Sequence, residues 1–176
     1  MTRALIFATM LSLFWLVPFL PRAAHAQPHD GGQGHSDGPE GHHGSAWEVG
    51  FALGAVSLVL EDELAFGAHA HVTRSVPGWQ RLRLGLGLES VLDEHGHLNA
   101  ALVVNVHVIA GLSVSVAPGV LVLREDHGGW GTRFSSHFEA LYDFDLGPLH
   151  VGPMLEYSYA SVDQHLMLGL HMGFEL

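Results

Sequence analysis

From Trp47 onward, apolar residues recur at every second position, and this alternation constrains the fold more than any other feature of the chain. A period of two belongs to the β-strand, whose successive side chains point to opposite faces. The stretch 132–146 shows it well. Phe134, Ser136, Phe138, Ala140, Tyr142, Phe144 and Leu146 fall on one face, and Arg133, Ser135, His137, Glu139, Leu141, Asp143 and Asp145 on the other. No stretch after residue 26 has the 3.6-residue periodicity of a helix.

Eight such segments follow one another, at about 46–59, 64–75, 80–91, 97–109, 112–123, 132–146, 148–160 and 164–176. They are separated by turn and loop compositions such as Glu61-Asp62-Glu63, Val76-Pro77-Gly78-Trp79, Asp93-Glu94-His95-Gly96 and Ala110-Gly111. An even number of antiparallel strands of this length suits closure into a barrel. Two kinds of eight-stranded barrel are then open, and they differ in which face is apolar. A soluble ligand carrier points its large apolar residues inward, whereas a barrel in lipid points them outward.

The polar faces decide between the two. Against Leu82, Leu84, Leu86 and Leu88 stand Arg81, Arg83, Gly85, Gly87 and Glu89; against Leu166, Leu168, Leu170, Met172 and Phe174 stand His165, Met167, Gly169, His171, Gly173 and Glu175. Ionisable side chains mixed with glycine make a poor water-facing surface. They make a good interior for a narrow barrel, where long charged groups need small neighbours. The sequence therefore predicts an all-β, eight-stranded antiparallel up-and-down transmembrane β-barrel over residues 46–176.

The amino-terminal part reads differently. Arg3, the apolar run from Ala4 to Leu20 and the small-x-small site Ala24-His25-Ala26 have the order of a secretory signal peptide, so residues 1–26 are expected to be removed. Residues 27–45 hold Gly, His and acid with no large apolar side chain, which predicts a flexible tail. With no Cys there is neither a disulfide framework nor a thiolate metal site. There is also no Lys. All 18 carboxylates follow residue 26, against five arginines, an acidity that argues against nucleic acid as a partner.

An amino terminus in the periplasm places the acidic loops 61–63, 93–97, 124–131 and 161–163 outside the cell and the short turns 76–79, 110–111 and 147 in the periplasm. Trp47 and Trp79 then mark one interface, and Trp130, Tyr157 and Tyr159 the other, as aromatic girdles do. The last strand, Leu168-Gly169-Leu170-His171-Met172-Gly173-Phe174-Glu175-Leu176, resembles the carboxy-terminal signal of outer-membrane proteins, although Leu176 stands where that signal has Phe or Trp. The pattern over 46–176 resembles the small outer-membrane barrels of the OmpA-transmembrane and OmpW type. The resemblance implies an outer-membrane location, insertion by the barrel-assembly machinery, and contact with outer-membrane lipid and lipopolysaccharide.

The register places His69, His71, Arg81, Arg83, Glu89, Asn105, His107, Arg133, His137, Glu139, Asp143, His150, Glu156, His165, His171 and Glu175 in the lumen. It pairs Asp143 with His150 and His137 with Glu156 across the sixth hairpin. Three readings of this interior are open. It is a charge-balanced plug; or His137, Glu156 and His171, with Glu139 or His165 adjacent, hold a divalent metal such as zinc, nickel or copper(II). The third is lipid chemistry of the kind that barrel-type lipid A deacylases and acyltransferases perform, using Ser135, His137 and Glu139. In the tail, His29, His35, His42 and His43 among Asp30, Asp37 and Glu40 form a second candidate metal-binding tract.

Overall fold

Every regular element is a strand in the computed structural model, which describes residues 47–93, 96–125 and 128–176. The expected signal peptide and tail lie outside the described residues. The strands are β1 (Trp47–Leu58), β2 (Glu63–Val76), β3 (Trp79–Leu92), β4 (His97–Ile109), β5 (Leu112–Arg124), β6 (Trp130–Tyr142), β7 (Phe144–Leu146), β8 (Leu149–Ala160) and β9 (Gln164–Glu175). All pairs are antiparallel. From β1 to β6 each strand pairs with the next, β6 and β7 both pair with β8 in turn along its length, β8 pairs with β9, and β9 returns to pair with β1. The sheet is therefore a closed barrel of eight strands, the sixth of which is made of β6 and β7.

The sequence predicts that sixth strand as one continuous run, and the structure interrupts it at Asp143. On the register set by Leu141 with Met154 and Phe144 with Val151, Tyr142 falls opposite Pro153. Pro153 has no N–H to give to the ladder. The Asp143 N–H donates instead to the Gly111 carbonyl at 2.6 Å.

Stagger fixes the shape. Following outward-facing partners from Trp47 leads through Arg74, Leu84, Val104, Val116, Phe138, Tyr157 and Leu166, and returns to β1 at Ser57, ten residues along. With a rise of about 3.3 Å and a strand spacing of about 4.8 Å, that offset tilts the strands by about 40°. A 12-residue strand such as β1 then spans about 30 Å along the barrel axis, the thickness of a bilayer core.

Burial is inverted relative to a soluble protein. Phe134 and Leu86 are 69% and 65% exposed, while Glu156 and His171 are each 1% exposed. Trp47 and Trp79 are exposed at one rim, and Trp130, Tyr157 and Tyr159 are exposed toward the other. The Arg74 guanidinium lies over the Trp47 ring at 5.3 Å. Val56, Leu58, Val91, Leu141, Met154 and Met167 form an apolar cluster in the lumen. Polar groups share the interior with it.

Glycine makes the room they need. A Cβ on Gly50 would fall on the imidazoles of His71 and His171, and one on Gly173 would fall on that of His150. Interiors this full tolerate no added volume. Gly173→Val is expected to lower unfolding stability in urea by about 1–3 kcal/mol. Ala55→Val, on the outer face, should stay within about 0.5 kcal/mol. Equal losses in lipid-refolded protein would contradict this assignment of faces.

Candidate functional site: a lumenal column of histidine and carboxylate

The even strands and odd strands deliver their inward residues in layers, and the acids and imidazoles of these layers form a continuous column. Near the rim of the longer loops, His165 on β9 contacts Asp163 through Nδ1 at 2.9 Å and Glu89 on β3 through Nε2 at 2.8 Å. His97 approaches Asp93 at 3.2 Å in the same region. Asp163 lies in the β8–β9 loop. Burial pushes its carboxyl up, but the His165 hydrogen bond outweighs this and holds it below the usual carboxylate range.

At mid-depth, His137 on β6 is the hub. Its Nδ1 lies 2.6 Å from Glu156 Oε1 and 2.9 Å from Glu89 Oε2. Its Nε2 lies 2.6 Å from the Asn99 amide, which also accepts the Ser135 hydroxyl at 2.6 Å. The second Glu156 oxygen faces His69, whose Nδ1 is 3.5 Å from both Glu156 Oε2 and Glu139 Oε2. Ser115 donates to the other Glu139 oxygen at 3.2 Å, and Asn105 donates to Ser115 at 2.9 Å.

Toward the rim of the short turns, three imidazoles gather around two acids. His71 and His171 stack with centroids 5.2 Å apart, and His150 lies 5.5 Å from His171. Glu48 Oε1 is 3.3 Å from His71 and 3.8 Å from His150, and Asp143 is 3.3 Å from His171 Nδ1. Arg83 approaches Glu48 at 3.4 Å and donates to the Thr73 hydroxyl at 3.2 Å.

Among the described residues, four sets of three bring one ligand atom each within 4.8 Å of one another: Glu48, His71 and His171; Asp143, His150 and His171; His69, Glu139 and Glu156; and Glu89, His137 and Glu156. Of the residues the sequence singles out, His137 and Glu156 meet directly, Glu139 joins Glu156 through His69, and His165 reaches His137 through Glu89. His171 does not join them, because its layer belongs to the Glu48 and Asp143 group. His29, His35, His42 and His43 lie outside the described residues. Arg81, expected inside, is exposed and reaches the Val108 carbonyl at 3.5 Å, and Arg133 is only half-buried beside Glu125. Both sit at strand ends, where the lumen opens.

The hairpin pairing also differs. His150 stands opposite Asp145 and Glu156 opposite Glu139, two residues from the expected register. Gly147, with φ of 80°, and Pro148 form the turn, because Pro148 cannot donate within a strand. Diagonal neighbours still bring His137 to Glu156 and Asp143 to His150. Sequence reasoning missed Glu48, Asn99 and Asp163. Glu48 shares the inward parity of Gly50 and Ala52, which was the available signal; Asp163 is read as a loop residue and offers none.

The nominal set Ser135, His137 and Glu139 is not assembled for nucleophilic chemistry. Ser135 is 1% exposed and its hydroxyl donates to Asn99, while Glu139 faces His69. A cavity of about 10 Å³ beside His71, Asn105 and Ser115 has room for one water.

No protein-family model matches the chain, and no curated protein does. Solved structures match by fold. Neisserial surface protein A superimposes with a TM-score of 0.52 at 8% identity, covering 75% of this chain and 98% of that one. The N-terminal β-barrel domain of Pseudomonas aeruginosa OprF gives 0.52 at 16% identity, covering 76% and 99%. A de novo designed transmembrane β-barrel gives 0.51 at 14% identity, covering 73% and 96%. The fold is that of the small eight-stranded transmembrane barrels.

Arg83 is the one arginine among the described residues that is buried in the lumen, and it faces Glu48. Arg83→Leu is expected to cost about 1–3 kcal/mol by removing one of the three groups that face that carboxylate, and adding Glu48→Gln should recover part of the loss. Additive losses in urea unfolding would show that the two do not balance each other.

Proposed function

We propose that the chain is a non-enzymatic outer-membrane barrel of the Gram-negative envelope whose lumen binds a borderline divalent metal: zinc, nickel or copper(II). The amino-terminal tail, placed in the periplasm, adds a second, looser metal-binding tract through His29, His35, His42 and His43. Lipid and lipopolysaccharide surround the apolar belt, and the barrel-assembly machinery inserts it.

The observation that carries this reading is a mismatch of charge and hydrogen bonding inside the barrel. Glu48, Glu89, Glu139, Glu156 and Asp163 are buried, and among the described residues Arg83 is the only buried arginine. Buried charge must be paired or it costs several kcal/mol per group. Protons on the histidines supply one form of balance. Those contacts are poorly aligned, however: Glu89 Oε2 lies 2.9 Å from His137 Nδ1, and Glu139 Oε2 and Glu156 Oε2 lie 3.5 Å from His69 Nδ1, all without good hydrogen-bond geometry, and His171 Nε2 makes no hydrogen bond. A divalent ion satisfies several such atoms at once and supplies positive charge. Imidazole nitrogen and carboxylate oxygen are the donor set that zinc, nickel and copper(II) prefer.

Protein purified, refolded and competed against a chelator of micromolar affinity should retain metal, and should still retain it when His29, His35, His42 and His43 are all replaced by Ala. Loss of all metal in that variant would confine binding to the tail, and no metal in either protein would sink the proposal. Orientation is tested separately, using the absence of native Cys. Glu61→Cys should react with a membrane-impermeant maleimide on intact cells and Pro77→Cys should not. The reverse pattern would place the tail outside.

A further inference from the structure

Glu156 belongs to two of the ligand sets at once. The structure points to a carboxylate-bridged pair of divalent ions at mid-lumen, with Glu156 as the bridge; this rests on the lumenal metal reading above. One ion takes Glu156 Oε1, His137 Nδ1 and Glu89 Oε2; the other takes Glu156 Oε2, His69 Nδ1 and Glu139 Oε2.

The two oxygens of Glu156 meet different imidazoles. Oε1 points to His137 at 2.6 Å and Oε2 to His69 at 3.5 Å. A carboxylate in that position holds two ions about 3.5–4 Å apart, the spacing of two-metal sites. Each ion then has one imidazole and two carboxylate donors, three protein ligands of the kind found at open zinc sites. Three carboxylates offset three of the four charges of two divalent ions, so the pair also removes the repulsion among Glu89, Glu139 and Glu156. A single ion would leave one of the end carboxylates unserved.

The strands hold this arrangement firmly. Glu139 and Glu156 are directly opposite each other on β6 and β8, and His69 and Glu89 are directly opposite on β2 and β3. The remaining nitrogen of His137 meets Asn99 at 2.6 Å. An amide can be turned over without changing its shape. With Asn99 Oδ1 toward the ring it accepts the Nε2 proton, which leaves the Nδ1 lone pair for the ion, and Nδ2 then donates to Ser135 Oγ. Asn99 is a positioning residue for the first ion, as outer partners of metal-bound histidine are. His69 is seated by Gly87, where an added Cβ would lie 3.2 Å from the His69 Nε2.

The test loads copper(II) into the full-length mature chain with the four tail histidines replaced by Ala, and reads metal content together with electron paramagnetic resonance. The expected result is bound copper whose signal is partly lost to spin coupling, with a half-field transition. Glu156→Gln should abolish the coupling, and Glu89→Gln should leave one mid-lumen ion with an isolated mononuclear spectrum. Heat-dependent gel migration confirms that each variant is folded, and a variant that fails to fold is replaced by His69→Gln, which removes a ligand of the second ion alone. Bound copper giving only isolated mononuclear spectra in the parent overturns the bridge while leaving the lumenal metal reading intact. No retained copper overturns both.

Discussion

Hydrogen-bond closure between β1 and β9 is the constraint on which the rest depends. In hydrocarbon, an unpaired backbone N–H or C=O has no water to turn to, so a sheet can face lipid only if its two edges meet. Eleven residues of β1, from Glu48 to Leu58, pair with β9 to seal that seam. Closure at this stagger sets the tilt and the bore together. The bore is narrow, and what lines it must fill it.

A filled bore containing acids is an electrostatic problem as much as a packing one. The barrel meets the packing part by placing Gly50, Gly87 and Gly173 where imidazoles pass, and by filling part of the lumen with apolar side chains such as Val56, Met154 and Met167. The electrostatic part is met by contact between opposite types. Each of Glu48, Glu89, Glu139 and Glu156 approaches at least one imidazole. Arginine contributes little: Arg83 is buried, whereas Arg133 and Arg81 lie near the mouths. That distribution makes histidine the main source of compensation. Histidine, unlike arginine, offers a lone pair as readily as a proton. The proposal of lumenal metal follows from that chemical property.

Much of this was legible in the sequence. Strict alternation over β3, β6 and β9 gave the two faces, and the mixture of glycine with ionisable residues told which one turned inward. Strand limits agree within about two residues, since turn residues such as Gly78, Gly111 and Gly147 mark them physically by taking positive φ. What the alternation could not supply was register. A two-residue difference in the β7–β8 turn, set by Pro148, moves Glu156 from His137 to a position opposite Glu139, and with it the identity of the cluster. The placement of His171 beside Glu48 needs the β1–β9 closure, which joins residues far apart in sequence. Asp163 enters the site from a loop, where no periodicity applies.

The most direct measurement of the central claim is X-ray absorption at the zinc edge on the folded, lipid-reconstituted barrel lacking the four tail histidines. The account predicts a first shell of nitrogen and oxygen only, at about 2.0–2.2 Å, with the outer-shell scattering that imidazole ligands produce. A shell of oxygen without imidazole scattering, or a protein that holds no zinc after chelator competition, would contradict it.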